Sequence, residues 1–391
     1  STPLGNSIGN VYSRITHYMG MTPHEHEYKL MGLSAYATEL DYSAPVVKKL
    51  QRYVDLDPKN PMLFKSTLPE KTYACEKRIA KDFLRTRFDN LAAGIQFYTE
   101  DLMVRWIKHL VKQTGIKNIV AAGGVFMNVK ANKLIAALPE VEFFDVFPSC
   151  GDETLPFGSA WYYYAHHSAK NGDDIVFNSF SLGPDAAFDF SEAEKIYGSK
   201  FVFRKVADPE KEGAEIIAKG DVLAYCSGPM EFGARALGNR SLVADPKNQE
   251  VVTEINKMIK HRDFWMPFAP AMIKERIHDY IKVPHGVPQD TVSAYMMQTF
   301  DTTDRNPEFT AAVHAYDKTA RAQVVSADIH PKFHKLIKEF EKITGKGVVL
   351  NTSFNMHGEP LVMGAMDAIK VMERTSLKYL LVNDTLITKK S

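Results

Sequence analysis

Gly228-Pro-Met-Glu-Phe-Gly-Ala-Arg-Ala-Leu-Gly-Asn-Arg-Ser-Leu-Val-Ala-Asp-Pro246 is the stretch around which the rest of the chain is organised. A short apolar run, Val222–Tyr225, precedes it and reads as a buried strand. A helical pattern follows from about Gln249 to Lys260, with Val252, Ile255 and Ile259 on one face. Between strand and helix stand Gly233, Gly238, Arg235, Asn239, Arg240 and Ser241. Glycines let backbone N–H groups approach an anion, and arginines offer planar forks that match phosphate or carboxylate oxygens. A solvated loop with two surface arginines is the plain alternative.

Working outward, the composition limits the answer. The 391 residues leave room for two domains of roughly 100–200 residues. The net charge of +1 gives no bulk electrostatic case for nucleic acid or an acidic membrane. Three cysteines (Cys75, Cys150, Cys226) are far apart and lack CxxC spacing, which fits a reducing cytoplasm. No apolar run approaches the roughly 20 residues that span a bilayer. The opening residues lead straight into a core-like helix, Val11–Met19, as the middle of a longer protein would.

Along the chain, His24 and His26 form a His-x-His pair without further ligands nearby, and Glu27 and Lys29 read as loop-orienting residues. Residues 41–75 are mixed and polar and read as an insertion or lid. Leu102, Trp106, Leu110 and Val111 make the apolar face of a helix over Leu91–Thr114. Ile119–Ala122 reads as a strand, Gly123-Gly124 as a tight turn, and Val125–Ala137 as a helix. Such a turn either cradles a phosphate or serves close packing. Val141–Phe147 is the next strand, followed by Asp152 and a helix over Gly158–His166. Two strand–loop–helix units in succession make an α/β crevice. Asp152 is a helix N-cap or a metal-holding carboxylate. The break at residues 166–174 is the expected domain boundary.

Beyond it, helices are expected over Ser191–Tyr197, Gly213–Lys219, Pro331–Thr344 and Ala365–Glu373. Strands are expected at Val292–Met297, Gly347–Leu350, Tyr379–Val382 and Thr385–Thr388. Arg235, Arg240, Lys260, Arg262, Arg321 and Ser353 come from four loops that border apolar strands. Several cations beside small polar groups suit a triphosphate or acyl phosphate, because charge-assisted hydrogen bonds are roughly twice as strong as neutral ones.

The wording of the loops then becomes diagnostic. Gly228–Pro246, Arg262–Pro270 (R-D-F-x-x-P-F-A-P), the D-x-T-A-R element ending at Arg321, and Asn351–Pro360 (N-T-S-F-N-x-x-G-E-P) together resemble the NodU/CmcH family of O-carbamoyltransferases. His26–Ala37 and Gly123–Asn128 match as well, so the resemblance covers essentially the whole chain. It implies an α/β protein in two parts. Residues 1–172 would be the C-terminal part of an actin/sugar-kinase-like (Kae1-like) domain, and residues 173–391 a YrdC-like domain. The YrdC-like part would make carbamoyl adenylate from carbamoyl phosphate and ATP. The Kae1-like part, with a bound divalent metal (Fe or Mg/Mn), would pass the carbamoyl group to a small-molecule hydroxyl.

By the same resemblance, Arg240, Arg262, Arg321 and Ser353 would hold carbamoyl phosphate or the adenylate. Gly123, Gly124, Asn128, Arg235, Lys260 and Asn351 would bind nucleotide, and Asp152 would be a metal ligand. The family's N-terminal half, with a pair of metal-binding histidines, has no matching segment here. A fragment, or a separate N-terminal polypeptide completing the first domain, is the corresponding expectation. Glu153-Thr154-Leu155-Pro156-Phe157 also departs from the glycine- and alanine-rich loop usual in the family. Two other readings are a threonylcarbamoyl-AMP-type enzyme acting on tRNA and a non-catalytic nucleotide-binding subunit.

Overall fold

A computed structural model describes residues 2–37, 40–168, 179–187, 189–260, 262–289 and 292–390. The expected boundary between residues 172 and 173 lies outside the described residues. The chain is mixed α/β.

The first part is organised on one long helix, Phe88–Thr114, of 27 residues. Leu91, Ile95, Tyr98 and Leu102 recur at helical spacing and sink into a core with Ile8, Val11, Leu30 and Tyr53. Residues 41–75, expected as an insertion or lid, are packed onto the long helix. The helix Leu40–Leu50 and the antiparallel pair β1 (Asp55–Asp57) and β2 (Asn60–Lys65) dock on the long helix. Tyr53 and Val54 are fully buried, and Trp106 Nε1 donates to the Met62 carbonyl at 2.9 Å. β3 (Asn118–Ala121) and β4 (Phe143–Val146) pair in parallel, with the helix Val129–Ala136 between them in sequence.

The second part is built on one eight-stranded mixed sheet. Its strands are β5 (Phe201–Lys205), β6 (Leu223–Cys226), β7 (Arg240–Ala244), β8 (Ala269–Ile273), β11 (Gln323–Val325), β12 (Val348–Ser353), β13 (Tyr379–Val382) and β14 (Thr385–Lys389). β9 (Ile281–Lys282) and β10 (Asp301–Thr302) form a separate short pair. The order is β11-β8-β12-β7-β6-β13-β14-β5, parallel only at β11/β8 and β6/β13. Helices cover both faces, so the inner strands β6, β7 and β8 are buried along their whole length, whereas the edge strand β5 alternates buried and exposed residues. Leu223, Tyr225, Val243 and Val349 meet the helices Pro209–Ala218 and Pro331–Thr344. Ala224, Cys226, Leu242 and Leu350 meet the helices Gln249–Ile255 and Ala365–Arg374.

Two details depart from the sequence reading. Residues 292–295 are turn and 296–297 irregular, not a strand, because Ser293 and Met296 take positive φ (43° and 59°), which breaks a regular strand. The helix expected to reach Lys260 changes after Ile255 to a wider π-type segment, Asn256–Lys260. Such segments are frequent at functional sites.

One apolar cluster joins Met103, Ile107 and Phe144 to Tyr280, Phe300, Val324 and Val348. The two parts therefore share a core. Cys75, Cys150 and Cys226 are free and buried, and burial pushes their thiols up to about 11, 12 and 12. Among the described residues, no helix is long and apolar enough to cross a membrane.

Candidate active site at the arginine loops

The loop between β6 and β7 is shaped from within. Glu231 is 3% exposed, and its Oε1 accepts from the amides of Leu237 (2.7 Å), Asn239 (3.2 Å) and Arg240 (3.2 Å). The glycine-rich backbone thus wraps an anion, and that anion is the protein's own carboxylate. Gly238 has φ 107°, and a Cβ there would lie 2.2 Å from the Phe333 ring. Only glycine fits both the turn and the close approach.

Arg240 opens β7 fully buried. Its Nε donates to the Met363 carbonyl at 2.9 Å and its Nη2 to the Pro184 carbonyl at 3.0 Å. Its Nη1 faces the carbonyls of Ser227, Gly228 and Asn239 at 3.3, 2.9 and 2.9 Å. Every nitrogen of this guanidinium therefore meets backbone, which gives Arg240 the geometry of a clamp, not of a free fork.

Arg235, Arg262 and Arg321 behave differently. They arrive on three separate loops, and each lies within electrostatic reach of the others. Burial, with Arg235 close by, pushes Arg262 down to about 10. Burial, then Arg235 and Arg262, hold Arg321 well below its ordinary range. Burial lowers Arg235 as well. No carboxylate offsets these three among the described residues; the Tyr28 hydroxyl works in that direction on all of them. Arg321 Nε is buried without a hydrogen-bond partner. Arg262 donates to Thr352 Oγ1 at 3.0 Å and lies over the Phe268 ring at 4.7 Å. Partly buried cations gathered without a counter-charge destabilise one another, and an anion with several charges resolves that cost.

Lys260 joins this group beside Arg262. It is 4% exposed, and burial, then Arg262, hold its ammonium well below the usual range. Its Nζ donates to Ser353 Oγ (2.9 Å), Asn355 Oδ1 (2.6 Å) and the Asn355 carbonyl (3.1 Å). Ser353 Oγ donates to Asn355 Oδ1 at 2.7 Å. Thr352 and Ser353, adjacent at the end of β12, thus serve Arg262 and Lys260 in turn. Asn351 sits one position earlier. Its amide donates to the Ala236 carbonyl at 3.1 Å and to Gln323 Oε1 at 2.9 Å, which ties Arg235's loop to β11 and β12. Sequence reasoning missed Tyr28, Glu231, Thr352 and Asn355. Asn355 carried a signal, lying two residues beyond Ser353 in N-T-S-F-N; Tyr28 lies in the matching stretch His26–Ala37, but only tertiary structure brings it to the arginines.

The first-part candidates lie elsewhere. Gly123 and Gly124 are exposed just after β3, with Gly123 at φ 111° and its amide on the Cys150 carbonyl at 2.9 Å. Asn128 caps the helix Val129–Ala136 through the Ala131 amide at 3.1 Å and exchanges two hydrogen bonds with Gln96. Asp152 is exposed at the start of the turn Asp152–Thr154 and makes no side-chain cap. Its loop nonetheless touches the arginine loop, since a Cβ on Gly233 would meet the Ser149 side chain at 2.7 Å. Among the described residues no group of three or more His, Cys, Asp or Glu side chains gathers at Asp152 or elsewhere, whereas a magnesium ion held by one or two carboxylates and substrate phosphates would need none.

Family comparison agrees with this architecture. The model for the carbamoyltransferase N-terminus matches residues 1–161, and that for the carbamoyltransferase C-terminus matches residues 214–389. The chain belongs to the carbamoyltransferase family.

Among its relatives, an uncharacterised protein of Methanocaldococcus jannaschii is 32% identical over 99% of this chain and 73% of its own length. Nodulation protein NolO of Bradyrhizobium diazoefficiens is 28% identical over 100% of this chain and 70% of its own length. The 3'-hydroxymethylcephem-O-carbamoyltransferase of Amycolatopsis lactamdurans is 30% identical over 68% of this chain and 47% of its own length. The chain spans 67%, 63% and 73% of three of the most similar relatives. Full-length HypF superposes with a TM-score of 0.33 at 14% identity, over 65% of this chain and 36% of that one, which is too slight to carry an argument.

Proposed function

We propose that this chain works in ATP-dependent O-carbamoyl transfer and that its arginine cluster is where carbamoyl adenylate forms. Carbamoyl phosphate loses its phosphate to water, leaving carbamate and inorganic phosphate. A carbamate oxygen then attacks the α-phosphorus of ATP, the bond to the β-phosphate oxygen breaks, and pyrophosphate leaves. In the transfer step the acceptor hydroxyl attacks the carbamoyl carbon, its proton is lost, and AMP leaves.

Arg235, Arg262 and Arg321 would take the phosphate charges and stabilise the charge that builds on the leaving pyrophosphate. Ser353, oriented by Lys260 and Asn355, would fix the carbamate end. Arg240 would act one step removed, by holding the loop that carries Arg235. Residues 1–172 would serve the transfer step and residues 173–391 the adenylation step. The acceptor, the divalent metal and any separate N-terminal polypeptide would serve the transfer step.

The observation that carries this reading is the convergence of three arginines from three loops with no carboxylate to offset them among the described residues. Pyrophosphate release from ATP, with and without carbamoyl phosphate, tests it. Release should depend on carbamoyl phosphate, and Arg262→Gln should slow it about 100-fold or more with the melting temperature kept. A well-folded chain that releases none, or an Arg262→Gln variant at full rate, would overturn it.

A further inference from the structure

Two of the three loops that carry the arginine cluster, those of Arg262 and Arg321, also carry rings of a second feature beside it, and the Tyr28 segment supplies the third ring. Arg262 is followed two residues later by Phe264, whose side chain is 79% exposed. Arg321 is preceded five residues earlier by Tyr316, 50% exposed. Tyr28, which faces the arginines, begins the helix that leads to Tyr36.

Tyr36 is the hub. Its ring meets Phe264 at 6.1 Å and 74°, and Tyr316 at 5.5 Å and 44°. Behind it lies His314 at 5.3 Å, buried and held through Nε2 on the Gly32 carbonyl at 3.0 Å. The Arg262 and Arg321 loops therefore each send one arginine to the cationic group and one ring to the aromatic one. Phe264 and Tyr316 thus stand close along the chain to two of the three arginines, as the base of a nucleotide stands close to its phosphates.

A phenylalanine four-fifths exposed loses apolar burial unless something flat covers it. We infer that the rings of Tyr36, Phe264 and Tyr316 form the stacking platform for the purine base of the nucleotide whose phosphates the arginines hold. This inference rests on the adenylate reading and adds the base subsite to it. The platform offers faces and no base-specific hydrogen bonds. It recognises the flat ring, and the arginines recognise the charge.

Calorimetric titration with ATP and, separately, with inorganic tripolyphosphate tests it. Phe264→Ala should weaken ATP about 10-fold or more, leave tripolyphosphate unchanged, and keep the melting temperature. Phe264→Trp should restore ATP binding, since it keeps the flat face. Unchanged ATP affinity in Phe264→Ala would overturn the platform, as would an equal loss for both ligands or a Phe264→Trp variant as weak as the alanine. A wild-type chain that binds neither ligand would instead bring down the adenylate reading itself.

Discussion

Arg235 and Arg240 stand five residues apart in one loop, and their surroundings give them opposite tasks. Arg240 is enclosed by carbonyls from residues 184, 227, 228, 239 and 363. Among the described residues, Arg235 has other cations and a phenol for electrostatic company. A lysine has three donors on one atom and cannot reach acceptors spread around a planar fork. Arg240→Lys is therefore expected to cost about 2–4 kcal/mol of unfolding free energy, read by urea titration. The KM for carbamoyl phosphate in the folded fraction should stay as it was; a selective rise in KM with stability unchanged would put Arg240 on the ligand instead. Nothing in the local sequence separates these two arginines. The difference lies in carbonyls up to 123 positions away, which only the fold assembles.

The helix Pro331–Thr344 shows what an element's own pattern can and cannot reveal. Phe333, Leu336, Ile337 and Phe340 recur at helical spacing, and all four are buried, as that spacing requires. His330, just before it, gave no such signal. It is 4% exposed, its Nε2 has no partner, and burial pushes its imidazole down to about 4. The unfolded chain binds this proton from about pH 6.5 downward, whereas the folded chain does not until about pH 4. The stability it permits is whole at pH 7 and is lost as the pH falls through that window. From pH 7 to pH 5 the wild type should lose about 2 kcal/mol through this group, and His330→Asn should not. Urea unfolding at the two pH values checks this; parallel losses in the two proteins would refute it. Residues 292–297 mark the opposite failure. Their apolar run satisfied a strand pattern, but positive φ at Ser293 and Met296 turned the backbone, and Val292, Ala294 and Met296 were buried all the same.

At the scale of the molecule, the segment Glu27–Tyr36 binds the first part to the arginine loops. Lys29 pairs with Asp263 at 3.0 Å, Trp265 Nε1 donates to the Lys29 carbonyl at 3.2 Å, and His314 reaches the Gly32 carbonyl. An anion that orders the arginines should therefore quieten this segment more than 200 positions away. Pyrophosphate is expected to slow amide hydrogen exchange across residues 27–33, and unchanged exchange there would show that the contact is passive. Strand–loop–helix order, the arginine-bearing loops and the apolar stripes were all legible in the sequence, because each is written in neighbouring residues. The shared core, the Glu231-filled loop and the Tyr28 contact were not, because each joins segments remote from one another. The three buried thiols have a use of their own. Protonated and shielded from solvent as they are, they would ignore an alkylating dye for as long as the protein keeps its shape. Three alkylations would record one molecule opening, so the chain carries a built-in stopwatch for its own unfolding.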